Sequence, residues 1–184
     1  MKLFMIMLGC RPKGRFTEQH DIFFGIAKSL KDLIPEIKLF WPEAKGKIHI
    51  DVWREVTVVD NYSIEVVSKN NNSNQENQLF FINLGGYKEN EFEEFHYKIL
   101  AIGQQMSDAV KTAKETTFYK HCGFKGATSH IDDKFGVDVD DLYNVSEILE
   151  LDLKDKFSLK ITKSEVSLVE DVLNIGYLKL EKIT

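Results

Sequence analysis

The chain begins with a run that has no polar interruption, "KLFMIML" at residues 2 to 8, closed by Gly9. A short apolar run bounded by a glycine predicts a buried strand. The pattern returns in mid-sequence as "NQLFFINLGG" at residues 77 to 86, and predicts a second such strand. Two readings fit "HDIFFGIAKSLKDLIPEIK". One is a single amphipathic helix with Ile22, Ile26, Leu30, Leu33 and Ile37 on a stripe, and the other is a strand that hands over to a helix at Ser29. The second is preferred, because aromatic and branched residues crowd the first half, Gly25 interrupts it, and Ser29 with Asp32 resembles a helix N-cap. Ser107 lies near the matching junction further on. "KIHIDVWREVTVV" and "YSIEVV" alternate with period two and predict strands, as does "NIGYLKLEKI" near the end.

The likeness between the two apolar runs extends along the chain. Shifted by 76 positions, Leu3, Phe4, Ile6, Leu8 and Gly9 meet Leu79, Phe80, Ile82, Leu84 and Gly85. Phe16, Glu18, His20, Ile26, Asp32 and Lys38 then meet Phe92, Glu94, His96, Ile102, Asp108 and Lys114. After a five-residue insertion, His49, Ile50, Asp51, Val56, Val58, Asp60 and Tyr62 meet His130, Ile131, Asp132, Val137, Val139, Asp141 and Tyr143. Identities at a fixed offset predict a tandem duplication. The first unit takes residues 1–67, an asparagine-rich connector 68–78, the second unit with insertions 79–163, and an extension of one more strand 164–184. Each unit is expected to run strand, strand, helix, strand, strand. The fold class is therefore α+β: mostly antiparallel sheets with helices on one face, the units related by a pseudo-twofold.

Composition narrows the classes of function. With 43% hydrophobic and 29% charged residues in 184, the chain is expected to be a soluble globular protein. A net charge of -5 argues against nucleic acid and against anionic membrane as partners. An unknown small molecule or a protein is the expected partner, and a homo-oligomer is left open. Cys10 and Cys122 have no metal-binding spacing and are read as free thiols of a reducing cytoplasm. "MKLFMIMLGC" looks superficially like a lipoprotein signal, but its apolar run is too short, and its recurrence at 77–86 favours a strand.

Four of the five histidines occupy repeat-related positions: His20 with His96, and His49 with His130. Glu18 and Glu94 stand two places before the first of each pair, and Asp51 and Asp132 two places after the second. Alternate side chains of a strand share a face, so Glu-x-His and His-x-Asp each present a polar pair to one side. If the strands are neighbours, the set suits a mononuclear metal centre with open positions, or an imidazole–carboxylate arrangement for proton transfer. The commoner meaning of such pairs is a register-locking hydrogen bond, and that reading carries more weight here. No metal or cofactor is assigned. The loop "GCRPKGRF" is a second, weaker candidate: Arg11, Lys13 and Arg15 around Gly14 could hold an anion. Phe16 and Phe92 are expected to plug the ends of the cores, and Trp53 to lie on the face of His49 and Asp51 as an apolar pocket wall.

The combination of "LGCRPKGRFTEQHD" with "HIDVWREVTVVDNY", then "LGGYKENEFEEFH" with "HID" and "VDDLY", resembles the bacterial family catalogued as domain of unknown function 1543. The resemblance covers most of residues 1 to 145 and implies one or two copies of the unit. It implies no activity and assigns no functional residue. Cys10 stands where the second copy has Gly86. The leading expectation is a non-catalytic, cytoplasmic ligand- or partner-binding module. The alternative is a metal-dependent or acid–base enzyme using the repeated Glu-x-His and His-x-Asp pairs, and nucleic-acid binding through the basic loop comes third.

Overall fold

The computed structural model describes residues 1–69, 75–116, 120, 130–131 and 141–184. The chain divides into two compact units, Met1–Asn70 with Leu149–Thr184, and Asn71–Ile148. It is a mixed α+β protein, and all of its strand pairing among the described residues is antiparallel.

In the first unit, β1 (Lys2–Cys10) lies between β2 (Gln19–Ala27) and β3 (His49–Glu55), and β11 (Asn174–Lys179) extends the sheet beyond β3. The apolar run of β1 fits this central place, flanked by a strand on each side, and only Met5 and Met7, on the face away from the helix, stay half-buried. Phe4, Ile6, Leu8 and Cys10 meet Phe23, Leu33, Ile37 and Ile50 in one core, while Leu3 is buried as well. A second sheet joins β4 (Val58–Val59), β5 (Tyr62–Ser68) and β10 (Phe157–Lys163). "YSIEVV" and "FSLKIT" are thus partners, with Ile64 opposite Ile161.

The segment after β2 resolves as a strand followed by helix. Asp32 accepts hydrogen bonds from the Ser29 backbone N–H at 3.0 Å and from its hydroxyl at 2.9 Å, which satisfies a donor that the helix start would leave open. A 3₁₀ turn at Leu30–Leu33 runs into α1 (Ile34–Phe40), whose Ile37 is fully buried against the sheet.

The second unit repeats the scheme with β6 (Gln78–Tyr87), β7 (Glu94–Gly103), α2 (Met106–Glu115), β8 (His130–Ile131), β9 (Asp141–Asn144) and α3 (Val145–Ile148). Ala109 and Ala113, one turn apart on α2, pack on Phe80, Ile82 and Leu84 of β6. Here the cap is at Gln105 rather than Ser107, which sits inside the first turn: Asp108 accepts from the N–H groups of Gln104 and Gln105. The registers of the two units coincide. Gly9 is opposite His20 and His49, and Gly85 is opposite His96 and His130. The repeat expected from the sequence and the compact units divide the chain differently, however. β10 and β11 follow the second unit in sequence but pair with β5 and β3 of the first. α4 (Leu151–Lys156) leads into β10. Among the described residues no helix is long and apolar enough to cross a membrane.

One carboxyl in α1 is poorly placed. Glu36 has a buried oxygen with no hydrogen-bond partner among the described residues, and burial, then the charge of Glu150, push its carboxyl above its ordinary value of 4.5. A raised folded-state value favours the protonated fold, so the stability involved is fully present below pH 4.5 and is lost as pH rises through the raised value. Glu36→Gln is therefore expected to raise the melting temperature at pH 7 and to lose that advantage when both proteins are melted at pH 4. An equal offset at both pH values would refute it.

Candidate functional site

Antiparallel register brings the first unit's polar pairs together. His20 on β2 and His49 on β3 both lie opposite Gly9 of β1, and directly opposed side chains project to the same face. A larger residue between them would separate the rings. At Gly9 a Cβ would overlap Nε2 of His49 and Oδ2 of Asp51, so the bare backbone is what lets the side chains meet.

Asp51 arrives by a second device. Met7 pairs with Val52 and Leu8 with Ile50, which leaves Asp51 as the extra residue of a β-bulge. Bulges re-aim side chains and accumulate beside functional sites. The bulge also reverses the alternation beyond it. Trp53 therefore turns to the helix-covered core, where it packs on Phe4 at 6.2 Å between ring centroids, and it does not wall the histidine site as strict alternation predicts.

The four side chains form a closed ring. Nε2 of His20 is 3.3 Å from Asp51 Oδ2 and 3.8 Å from Glu18 Oε2. Nε2 of His49 is 3.3 Å from Asp51 Oδ1 and 3.2 Å from Glu18 Oε1. Each carboxylate thus addresses one imidazole with each of its oxygens. The His49 side chain is 8% exposed and Asp51 23%, against 41% for His20 and 45% for Glu18, so the ring has a buried floor and an open rim. Tyr177 of β11 stacks on His49 with centroids 4.3 Å apart. Nothing in the sequence singles out Tyr177, which lies in the extension that has no repeat counterpart.

The ring is not a self-contained hydrogen-bond network. His49 Nε2 and Asp51 Oδ2 are buried and have no hydrogen-bond partner of adequate geometry among the described residues, a costly arrangement for a site with no ligand to satisfy it. Nor is it a metal cage as it stands: among the described residues no three His, Cys, Asp or Glu side chains converge on a position suited to a metal ion. Cys10 takes no part, since it is buried in the helix-side core and burial, then the charge of Glu18, push its thiol up, away from the reactive thiolate.

The second unit keeps the backbone frame without a demonstrated ring. Glu94 accepts a hydrogen bond from the Tyr87 hydroxyl at 2.8 Å, and His96 is exposed. His130 occupies the position opposite Gly85, while Asp132, His121 and Cys122 lie outside the described residues. Phe16 and Phe92 do not plug the cores: both are fully exposed, in the loops ahead of β2 and β7.

The basic loop is closed by the Arg15 N–H donating to Pro12 O at 3.2 Å, with Gly14 at φ 87° taking the left-handed conformation the turn needs. Arg11, Lys13 and Arg15 line a cleft with Lys45 and Lys47. Reading the sequence missed the two lysines because a separate loop supplies them.

Fold and site together define an α+β protein of two sheet-and-helix units, one carrying a paired imidazole–carboxylate ring. Residues 15–66, which include all four ring residues, match the family model described as Domain of Unknown Function (DUF1543). The chain is also similar to the crystal structure of a protein Il1583 from Idiomarina loihiensis, with a TM-score of 0.61 and 22% identity, covering 97% of each chain. That likeness shows a common fold along the whole chain. No curated protein matches it.

Proposed function

We propose that the chain binds a small polar molecule at the ring of Glu18, His20, His49 and Asp51 and moves a proton on it, acting as an acid–base enzyme. The observation that supports this reading is the pair of orphaned buried atoms, His49 Nε2 and Asp51 Oδ2, within a ring whose rim is open to solvent. In the proposed roles, His20 at the rim accepts the proton. Asp51 and Glu18 fix the orientation and tautomer of both rings, and His49 anchors the floor against Tyr177. We further take the two units to be tandem copies, on the strength of their coincident registers, in a cytoplasmic bacterial protein whose first copy carries the chemistry.

A chromogenic ester, p-nitrophenyl acetate, tests the reading without knowledge of the natural substrate. Base-assisted attack of water on its carbonyl gives acetic acid and p-nitrophenolate, with one of the water's protons passing to His20 and the acid then losing its own proton to solvent. His20→Ala is expected to lower turnover by about a hundredfold, as for loss of a general base, with little change in melting temperature because the ring is at the rim. Turnover equal in wild type and His20→Ala would overturn the proposal. Dialysis against a chelator is a parallel arm: activity lost with it and restored by a divalent cation would replace proton transfer by metal chemistry at the same residues.

A further inference from the structure

The chain as a whole is acidic, with a net charge of -5, yet it gathers cations at one place beside the ring. Arg11, Lys13 and Arg15 come from the loop after β1, and Lys45 and Lys47 from the turn before β3. Together they line a cleft of about 500 Å³, with Glu43 as its one acidic residue. None of the five side chains has an ion-pair or hydrogen-bond partner among the described residues. Clustered, unpaired cations repel one another and stabilise nothing by themselves; their field concentrates anions. The loops that carry them are fixed in shape by the Gly14 turn and by Lys45 in the left-handed conformation at φ 50°, followed by Gly46.

Continuity with the site is the second observation. A neighbouring cleft of about 540 Å³ shares Lys13, Arg15, Glu43 and Lys45 with the first and is also lined by His20, Asp21 and Trp41. A ligand whose charged end sits among the cations therefore has room to extend to His20 and Trp41.

We propose that the ligand of this protein is a small phosphate-bearing molecule, anchored by Arg11, Lys13, Arg15, Lys45 and Lys47 so that its uncharged part reaches His20. A phosphate suits the cleft better than a carboxylate, because five cations exceed what one negative charge can balance and a phosphate offers two charges and several acceptor oxygens. The volume fits a small molecule. What the anchored ligand meets at His20 rests on the acid–base reading; the anion site itself does not.

The experiment is isothermal titration of the full chain with phenyl phosphate and, separately, with inorganic phosphate at low salt. Both are expected to bind, and the triple variant Lys13→Ala, Arg15→Ala, Lys45→Ala is expected to weaken binding by at least about tenfold. His20→Ala is expected to leave inorganic phosphate binding within about twofold while lowering ester turnover about a hundredfold, so that failure of the anion site and failure of the acid–base reading give different results. Equal phosphate binding by wild type and the triple variant, or none in either, overturns the proposal. So does a single-stranded oligonucleotide that binds more tightly than phenyl phosphate with a steep salt dependence, which would make the patch a nucleic-acid surface.

Discussion

Asp171→Ala is expected to lower the unfolding free energy by about 3 kcal/mol. Asp171 is only 4% exposed. Its carboxylate accepts from the Thr57 N–H at 3.0 Å, the Thr57 hydroxyl at 2.5 Å and the Val58 N–H at 3.3 Å, which ties the C-terminal extension to the corner between β3 and β4. It also faces Arg54 at 4.0 Å. Burial pulls the Arg54 guanidinium below its usual value, and Asp171, then Glu170, oppose that pull. Truncating Asp171 thus leaves two backbone donors without their acceptor and the half-buried Arg54 with Glu170 as its remaining counter-charge. In a chain of this length the loss corresponds to a fall in melting temperature of roughly 6–12 °C. Adding Arg54→Met to Asp171→Ala should recover part of it, because the less compensated charge is then removed as well. Denaturant melts of the single and double variants check both statements; a single-variant cost under about 1 kcal/mol would refute the first.

How much of this was legible in the sequence depended on how local the cause was. The apolar runs of β1 and β6 signalled their own burial, and the Ser29–Asp32 cap separated strand from helix where Ile22, Ile26, Leu30 and Leu33 fitted either. The repeated Glu-x-His and His-x-Asp pairs pointed to the four ring residues because a period of two is a property of one strand. What escaped came from elsewhere in the chain or from breaks in that period. The bulge at Asp51 leaves no mark in composition, yet it sends Trp53 to the opposite face from His49. Tyr177 reaches His49 only through the pairing of β11 with β3, which joins positions far apart in sequence. Lys45 and Lys47 become part of an anion cleft only when their turn meets the loop after β1. The exposure of Phe16 has the same origin, since a loop residue shows no periodicity from which a direction could be read.

Gly9→Ala is expected to lower turnover at the site by about a hundredfold while leaving the chain folded. Ala adds one methyl group, and the three atoms nearest to it all belong to the ring: Nε2 and Cε1 of His49 and Oδ2 of Asp51. His49 is held from behind by Tyr177, so it cannot retreat without unstacking, and Asp51 is fixed by the bulge. Overpacking of this kind costs about 1–3 kcal/mol, and displacing a reacting group by about 1 Å costs on the order of a hundredfold in rate. p-Nitrophenyl acetate turnover should therefore fall as far in Gly9→Ala as in His20→Ala, although no titratable group has been removed. The stability cost supplies an independent check through a mutant cycle. In a His49→Ala background the ring that clashes is gone, so Gly9→Ala should become markedly cheaper there than in the wild type, with a coupling of about 1 kcal/mol. Full additivity of the two substitutions in chemical melts would mean that Gly9 and His49 do not touch, and the convergence of the rings over β1 would have to be abandoned.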